Sequence, residues 1–173
     1  GYLWDPPAAK EAFRKASQIA HSAGSKVALT LSDAFCVDRW RDEFLGLIRT
    51  GVVDIVFANE HELHSLYQTA DMDTAITALR AENILGVVTR SADGAMAVTR
   101  GETIAVPAYP VERLVDTTGA GDLYAAGFLH AYTRGQDLER CGRLGSLCAG
   151  QVVTQLGPRP QGSLRELMER HLG

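Results

Sequence analysis

Two rhythms of apolar and polar positions run along this chain: short, mostly apolar runs, and longer stretches with an apolar residue every three to four positions. Val27–Leu31, Val52–Phe57 and Leu85–Thr89 are of the first kind and predict buried strands. Ala8–Ala23, Asp38–Arg49, Glu60–Tyr67 and Asp73–Glu82 carry the second rhythm and predict helices. In the first helix Ala12, Phe13, Ala16, Ile19 and Ala20 share one face, and Gly24 ends it. Ahead of it, Tyr2–Trp4 reads as a strand stub, broken by Asp5-Pro6-Pro7, which can open a helix. Strand and helix alternate with short loops, as in a parallel sheet with helices on both faces.

Beyond residue 94 the pattern changes. Ala95–Thr99 and Thr103–Pro107, joined by Arg100-Gly101-Glu102, predict a β-hairpin. Three helical stretches follow: Gly119–Arg134, Leu138–Thr154 and Ser163–Leu172. There is no internal repeat, low-complexity tract or linker, and residues 1–173 read as one α/β domain.

Composition narrows the classes. Lys and Arg number 17 against 21 Asp and Glu, a net charge of −4, so the basic excess that drives nucleic-acid binding is missing. A phosphorylated small molecule stays open, because backbone N–H groups bind it without net positive charge. No apolar stretch nears the roughly 20 residues that cross a bilayer. Three cysteines with no Cys-x-x-Cys pair favour a reducing, cytoplasmic setting over a zinc ribbon or disulfide scaffold. The chain opens on Gly1 in place of Met, which leads to the expectation of a further N-terminal portion.

The stretch that carries chemistry is Asp116-Thr117-Thr118-Gly119-Ala120-Gly121-Asp122, which feeds straight into the apolar helix Leu123-Tyr124-Ala125-Ala126-Gly127-Phe128-Leu129. Small residues let a ligand approach the backbone, and the free N–H groups of a first helical turn form an anion site. A carboxylate at Asp122 would repel a phosphate. It makes sense if it takes the proton of an incoming hydroxyl while the N–H groups hold the charge of the transferred phosphoryl. A plain turn with an acidic first-turn residue is the alternative that these residues leave open. A dinucleotide loop fits less well, since Tyr124 stands where the third glycine belongs.

This stretch closely resembles the C-terminal signature of the PfkB family of carbohydrate and nucleoside kinases, which includes ribokinase, fructokinase and adenosine kinase. The resemblance implies a ribokinase-like three-layer α/β/α fold, with a mostly parallel sheet plus a β-hairpin. It also implies that the family's N-terminal half and β lid are absent from this chain. Asp122 becomes the expected catalytic base, and Gly119, Ala120 and Gly121 the anion hole. Asn59-Glu60-His61-Glu62 matches the family's Asn-x-x-Glu motif, placing Asn59 by ATP and Glu62 by Mg²⁺ through water; the same spacing is a helix capping box, and both can hold. His61 and His64 lack the spacing of a zinc site and read as surface residues. Thr89, Ser91 and Gly94 fall on a Thr-x-Gly-x-x-Gly nucleotide loop in which Ser91 replaces a glycine; an ordinary strand-to-hairpin turn is the alternative. Ser146 and Ala149 would flank the adenine, although the small residues around them serve helix packing equally well. Asp116, Thr118 and the Gly157 turn are candidates for K⁺.

The implied activity is ATP-dependent phosphorylation of a primary hydroxyl. The loops Gly1–Asp5 and Ser32–Arg39 look most like the bacterial adenosine-kinase branch, so adenosine is the first acceptor. A free sugar such as ribose or fructose, or a non-catalytic nucleotide-binding module, is the alternative. The partners expected are ATP and a small nucleoside or sugar, with no nucleic acid or membrane; a homodimer stays open.

Overall fold

A computed structural model describes residues 1–172. Its strands are β1 (Ala28–Thr30), β2 (Ile55–Asn59), β3 (Leu85–Thr89), β4 (Ala95–Val98) and β5 (Thr103–Val106), ordered along one sheet as they come in the chain. The helices are α1 (Pro7–Ser22), α2 (Ala34–Arg49), α3 (Glu60–Tyr67), α4 (Met72–Ala81), α5 (Ala120–Tyr132), α6 (Leu138–Val152) and α7 (Leu164–Leu172). The chain forms two compact units, one of Gly1–Val88 with Val98–Thr103, the other of Thr89–Ala97 with the residues from Ile104 onward.

In the first unit β1 and β2 run parallel, with Ala28, Leu29 and Thr30 opposite Ile55, Val56 and Phe57. Four consecutive buried residues, Ile55 to Ala58, are what a strand covered on both faces requires. Phe44, Leu47 and Ile48 of α2, Leu63 and Leu66 of α3, and Leu79 of α4 complete this core. Truncating a fully buried side chain such as Phe44 to alanine costs about 3–5 kcal/mol.

Three local expectations are corrected here. Tyr2–Trp4 is a single 3₁₀ turn, not a strand, closed by the Trp4 N–H on the Gly1 carbonyl at 2.9 Å. Tertiary packing overrides the extended preference: Trp4 is fully buried, its Nε1 donates to Glu43 at 2.9 Å, and its ring meets Phe13 edge-on at 5.3 Å. In α1 the covered face runs through Phe13, Ser17 and Ala20, while Ala12, Ala16 and Ile19 face solvent. The Trp4–Phe13 contact and the Lys10–Glu43 ion pair, 2.6 Å, set that rotation, and Ser17 satisfies its hydroxyl on the Phe13 carbonyl. Helix α2 starts four residues before the expected Asp38, because Asp33 is its N-cap and accepts the Phe35 N–H at 2.7 Å. It bends at Trp40, whose backbone leaves the helical region and whose ring carries the Lys10 ammonium at 3.5 Å.

In the second unit, α5 and α6 pack with their backbones close together. A Cβ on Gly127 would lie 2.7 Å from the Leu144 carbonyl oxygen and 2.9 Å from the Cys148 sulfur, so only glycine permits this approach. Tyr124 and Phe128 stack with ring centroids 6.4 Å apart. Among the described residues no helix is long and apolar enough to cross a membrane.

Candidate active site

The irregular chain before α5 is shaped by one carboxylate. Asp116 Oδ1 accepts the Thr118 N–H at 2.9 Å and its hydroxyl at 2.7 Å, and Oδ2 accepts the Gly157 N–H at 2.9 Å. The Thr118 hydroxyl first, then these two N–H groups, hold the Asp116 carboxyl below its ordinary range. The structure therefore joins Asp116 and Thr118 in one hydrogen-bonded turn and ties that turn to the distant Gly157 loop.

Gly119 is the N-cap of α5 at φ +81°, and no side chain caps the helix. A Cβ there would stand 2.5 Å from the Pro158 Cβ, so the position demands glycine twice over. The Ala120 N–H bonds the Thr117 carbonyl and the Leu123 N–H bonds the Gly119 carbonyl, at 3.1 and 2.9 Å. Between them, the N–H groups of Gly121 and Asp122 donate to no backbone carbonyl among the described residues. Nothing lies within 4 Å of a Cβ built on Gly121, and Asp122 is exposed in the same first turn. A carboxylate, open N–H donors and the positive end of a helix dipole thus share one turn.

Thr89 ends β3, and Ser91–Asp93 form a 3₁₀ turn leading to Gly94. Ser91 takes φ +49°, a glycine-favouring conformation held here by a serine. Gly94 is at φ +85°, where a Cβ would fall 2.0 Å from the Val106 carbonyl oxygen. The loop has the backbone of a glycine-rich turn at both positions.

Helix α6 carries Ser146, which is buried, and Ala149, which is half-buried. The Tyr124 ring fills the space at Gly145, Val106 that at Gly142, and Tyr109 that at Gly150. Helix and ring packing accounts for these three glycines. Cys148 is buried filler, its thiol pushed up to about 11 by burial. A cavity of about 270 Å³, lined by Tyr109, Val111, Arg113, Gly150, Gln151 and Thr154, opens beside the last turn of α6. Its Tyr109 wall was not foreseen, because residues 107–118 carry no periodicity to place them.

In the first unit Asn59 and Glu62 form a complete capping box on α3. The Asn59 N–H donates to Glu62 Oε2 at 3.0 Å, Asn59 Nδ2 to Oε1 at 2.7 Å, and the Glu62 N–H to Asn59 Oδ1 at 2.9 Å. Glu62 is only 4% exposed, and burial, aided by the negative charge of Asp33, raises its carboxyl above the ordinary value. His61 is exposed as expected, but His64 is half-buried with Nε2 covered and without a hydrogen-bond partner among the described residues. A second hollow, about 330 Å³ beside His64, Gln68 and Thr69, contains no predicted site residue. No group of three or more His, Cys, Asp or Glu among the described residues could hold a metal ion, so any cation here would draw on water, main-chain or ligand oxygens.

The chain matches the pfkB family carbohydrate kinases over residues 1–163 and belongs to that family. It is 53% identical to the adenosine kinase of Sinorhizobium meliloti, whose crystal structure superposes with a TM-score of 0.96 over 98% of this chain and 52% of that one. The nucleoside kinase of Methanocaldococcus jannaschii is 34% identical over 104 residues, 60% of this chain and 34% of the relative. A ribokinase-type structure from E. coli in complex with ATP and Mg²⁺ is 25% identical with a TM-score of 0.83, over 98% of this chain and 56% of that one. The fold is thus ribokinase-like α/β with a mostly parallel sheet. The chain spans about a third of the length of the curated nucleoside kinases it first matches and about half of the solved adenosine kinase.

Proposed function

We propose that this chain supplies the ATP-binding and phosphoryl-transferring portion of a kinase acting on the primary hydroxyl of a ribonucleoside, adenosine first. The observation that carries the proposal is Asp122, exposed beside N–H groups that the fold leaves open at the start of α5. In the proposed reaction Asp122 takes the hydroxyl proton as the oxygen bonds to the γ-phosphorus, and ADP leaves as the bond from its bridging β-phosphate oxygen to that phosphorus breaks. In the loop of Gly119, Ala120 and Gly121, the open N–H of Gly121, with that of Asp122, is proposed to hold the charge that gathers on the moving phosphoryl, while the Ala120 N–H braces the loop on the Thr117 carbonyl. Mg²⁺, when bound with the nucleotide, neutralises phosphate charge, and Glu62 would meet it through water, each carboxylate oxygen keeping a lone pair beyond its bond to Asn59. Asp116, Thr118 and Gly157 would serve a K⁺ where these hydrogen bonds join them.

Thr89, Ser91 and Gly94 fit a nucleotide loop, and Asn59, Ser146 and Ala149 fit its flanks. The left-handed backbone at Ser91 and Gly94 supports the loop. Identity to the Sinorhizobium meliloti adenosine kinase supports adenosine as acceptor, while the family's carbohydrate kinases make a free sugar the second reading. ATP as co-substrate and three buried free cysteines support a cytoplasmic setting. The test is ADP release from Mg·ATP by the full-length protein with adenosine, other nucleosides, ribose and fructose. Saturable adenosine-selective turnover is expected. A preference for a free sugar keeps the chemistry and overturns the acceptor, and ATP binding without turnover overturns the kinase.

A further inference from the structure

Arg90 stands one residue beyond β3, at the C-terminal end of a strand, where open α/β sheets take up their ligands. Its loop is tied back on itself: the Arg90 N–H bonds the Gly94 carbonyl at 2.7 Å, and Arg90 Nη2 bonds the Asp93 carbonyl at 3.1 Å. Both acceptors are main-chain carbonyls. No carboxylate pairs with the Arg90 guanidinium among the described residues. Its Nε is buried and has no hydrogen-bond partner among them either.

A guanidinium donor withdrawn from water without an acceptor is costly, more so than a neutral one. The backbone beside it is also held in restricted conformations, Ser91 at φ +49° and Gly94 at φ +85° against the Val106 carbonyl. A charged donor, short of acceptors and fixed by a strained loop at a strand's ligand edge, is suited to an incoming anion. The planar fork of arginine matches phosphate oxygens in particular.

We propose that Arg90 binds a β- or γ-phosphate oxygen of the nucleoside triphosphate. For the identity of that ligand the proposal rests on the kinase reading above. The loop pattern itself assigns Thr89, Ser91 and Gly94 and passes over the arginine between them.

The test is calorimetric titration of full-length wild type, Arg90→Gln and Arg90→Lys with ATP, AMP and adenosine. Loss of the charge in Arg90→Gln is expected to weaken ATP about tenfold to a hundredfold while AMP and adenosine change less than twofold. Arg90→Lys, which keeps the charge without the fork, is expected to recover part of the loss. An unchanged ATP affinity overturns the proposal. So does an equal weakening of ATP and AMP, which is what a purely loop-bracing arginine would give. If wild type shows this phosphate-dependent pattern but no turnover, the kinase reading falls and Arg90's role stands. If wild type does not bind ATP, both fall.

Discussion

Helix α3 follows strand β2 directly and α5 follows irregular chain; both carry an acidic residue in the first turn, yet their ends are built in opposite ways. At α3 the orphan donors are consumed from within: Asn59 and Glu62 cap each other through three hydrogen bonds, and Glu62 is buried. At α5 the N-cap is Gly119, which has no side chain to offer, and the N–H groups of Gly121 and Asp122 stay open beside an exposed carboxylate. The first end is closed by its own side chains and needs no ligand to be stable. The second has only glycine at its N-cap, weaker than a side-chain cap by about a few tenths of a kcal/mol, and leaves its donors unpaired. A helix N-terminus therefore points to chemistry when its capping is withheld, not merely when an acid stands near it.

Substitutions can break that contrast. The largest effect is expected at Asp122: Asp122→Asn should lower turnover by about 10²- to 10⁴-fold, the usual contribution of a general base, with ATP affinity held within about twofold by titration. Near-normal turnover would return Asp122 to a plain first-turn residue. Next comes the backbone of the open end. Gly119→Ala meets both φ +81° and the Pro158 contact and should cost about 1–3 kcal/mol in denaturant melts, whereas Gly121→Ala, with free space around it, should stay within about 0.5 kcal/mol. Equal costs would show that Gly119 is not a constrained cap. At the closed end Asn59→Ala should cost about 0.5–2 kcal/mol, because it removes the cap of α3. The smallest effect is electrostatic. Since the folded state raises the Glu62 carboxyl above 4.5, it binds that proton more tightly than the unfolded chain, so this contribution is full below pH 4.5 and fades as pH rises through the raised value. Wild type should thus lose stability relative to Glu62→Gln across that window, and parallel pH profiles would contradict the burial of an ionised Glu62.

Much of this was legible in the sequence, for identifiable reasons. Glu60–Tyr67 and Leu85–Thr89 stand where the pattern placed them, because a capping box and a mostly apolar run are local signals. Tyr2–Trp4 and the inward face of α1 were misread because a long-range contact, Trp4 with Glu43 and Phe13, decides both. The early start of α2 was missed because Asp33 reads equally as loop or cap until its acceptor role is seen. At the candidate site, the residues themselves pick out Gly119 and Asp122, while the roles proposed for them come from the family resemblance. The glycines of α6 could not be divided between ligand space and packing until Tyr124 and Tyr109 were seen to fill them. Nor could Arg90 be found, because a missing hydrogen-bond acceptor leaves no trace in a motif.

The most direct trial is to follow the phosphorus itself. Full-length protein with Mg·ATP and adenosine, watched by ³¹P NMR, is expected to give a nucleoside monophosphate ester and ADP in equal amounts. ADP accompanied only by inorganic phosphate, or no ADP at all, would contradict the assignment of the open end of α5 to phosphoryl transfer onto a hydroxyl.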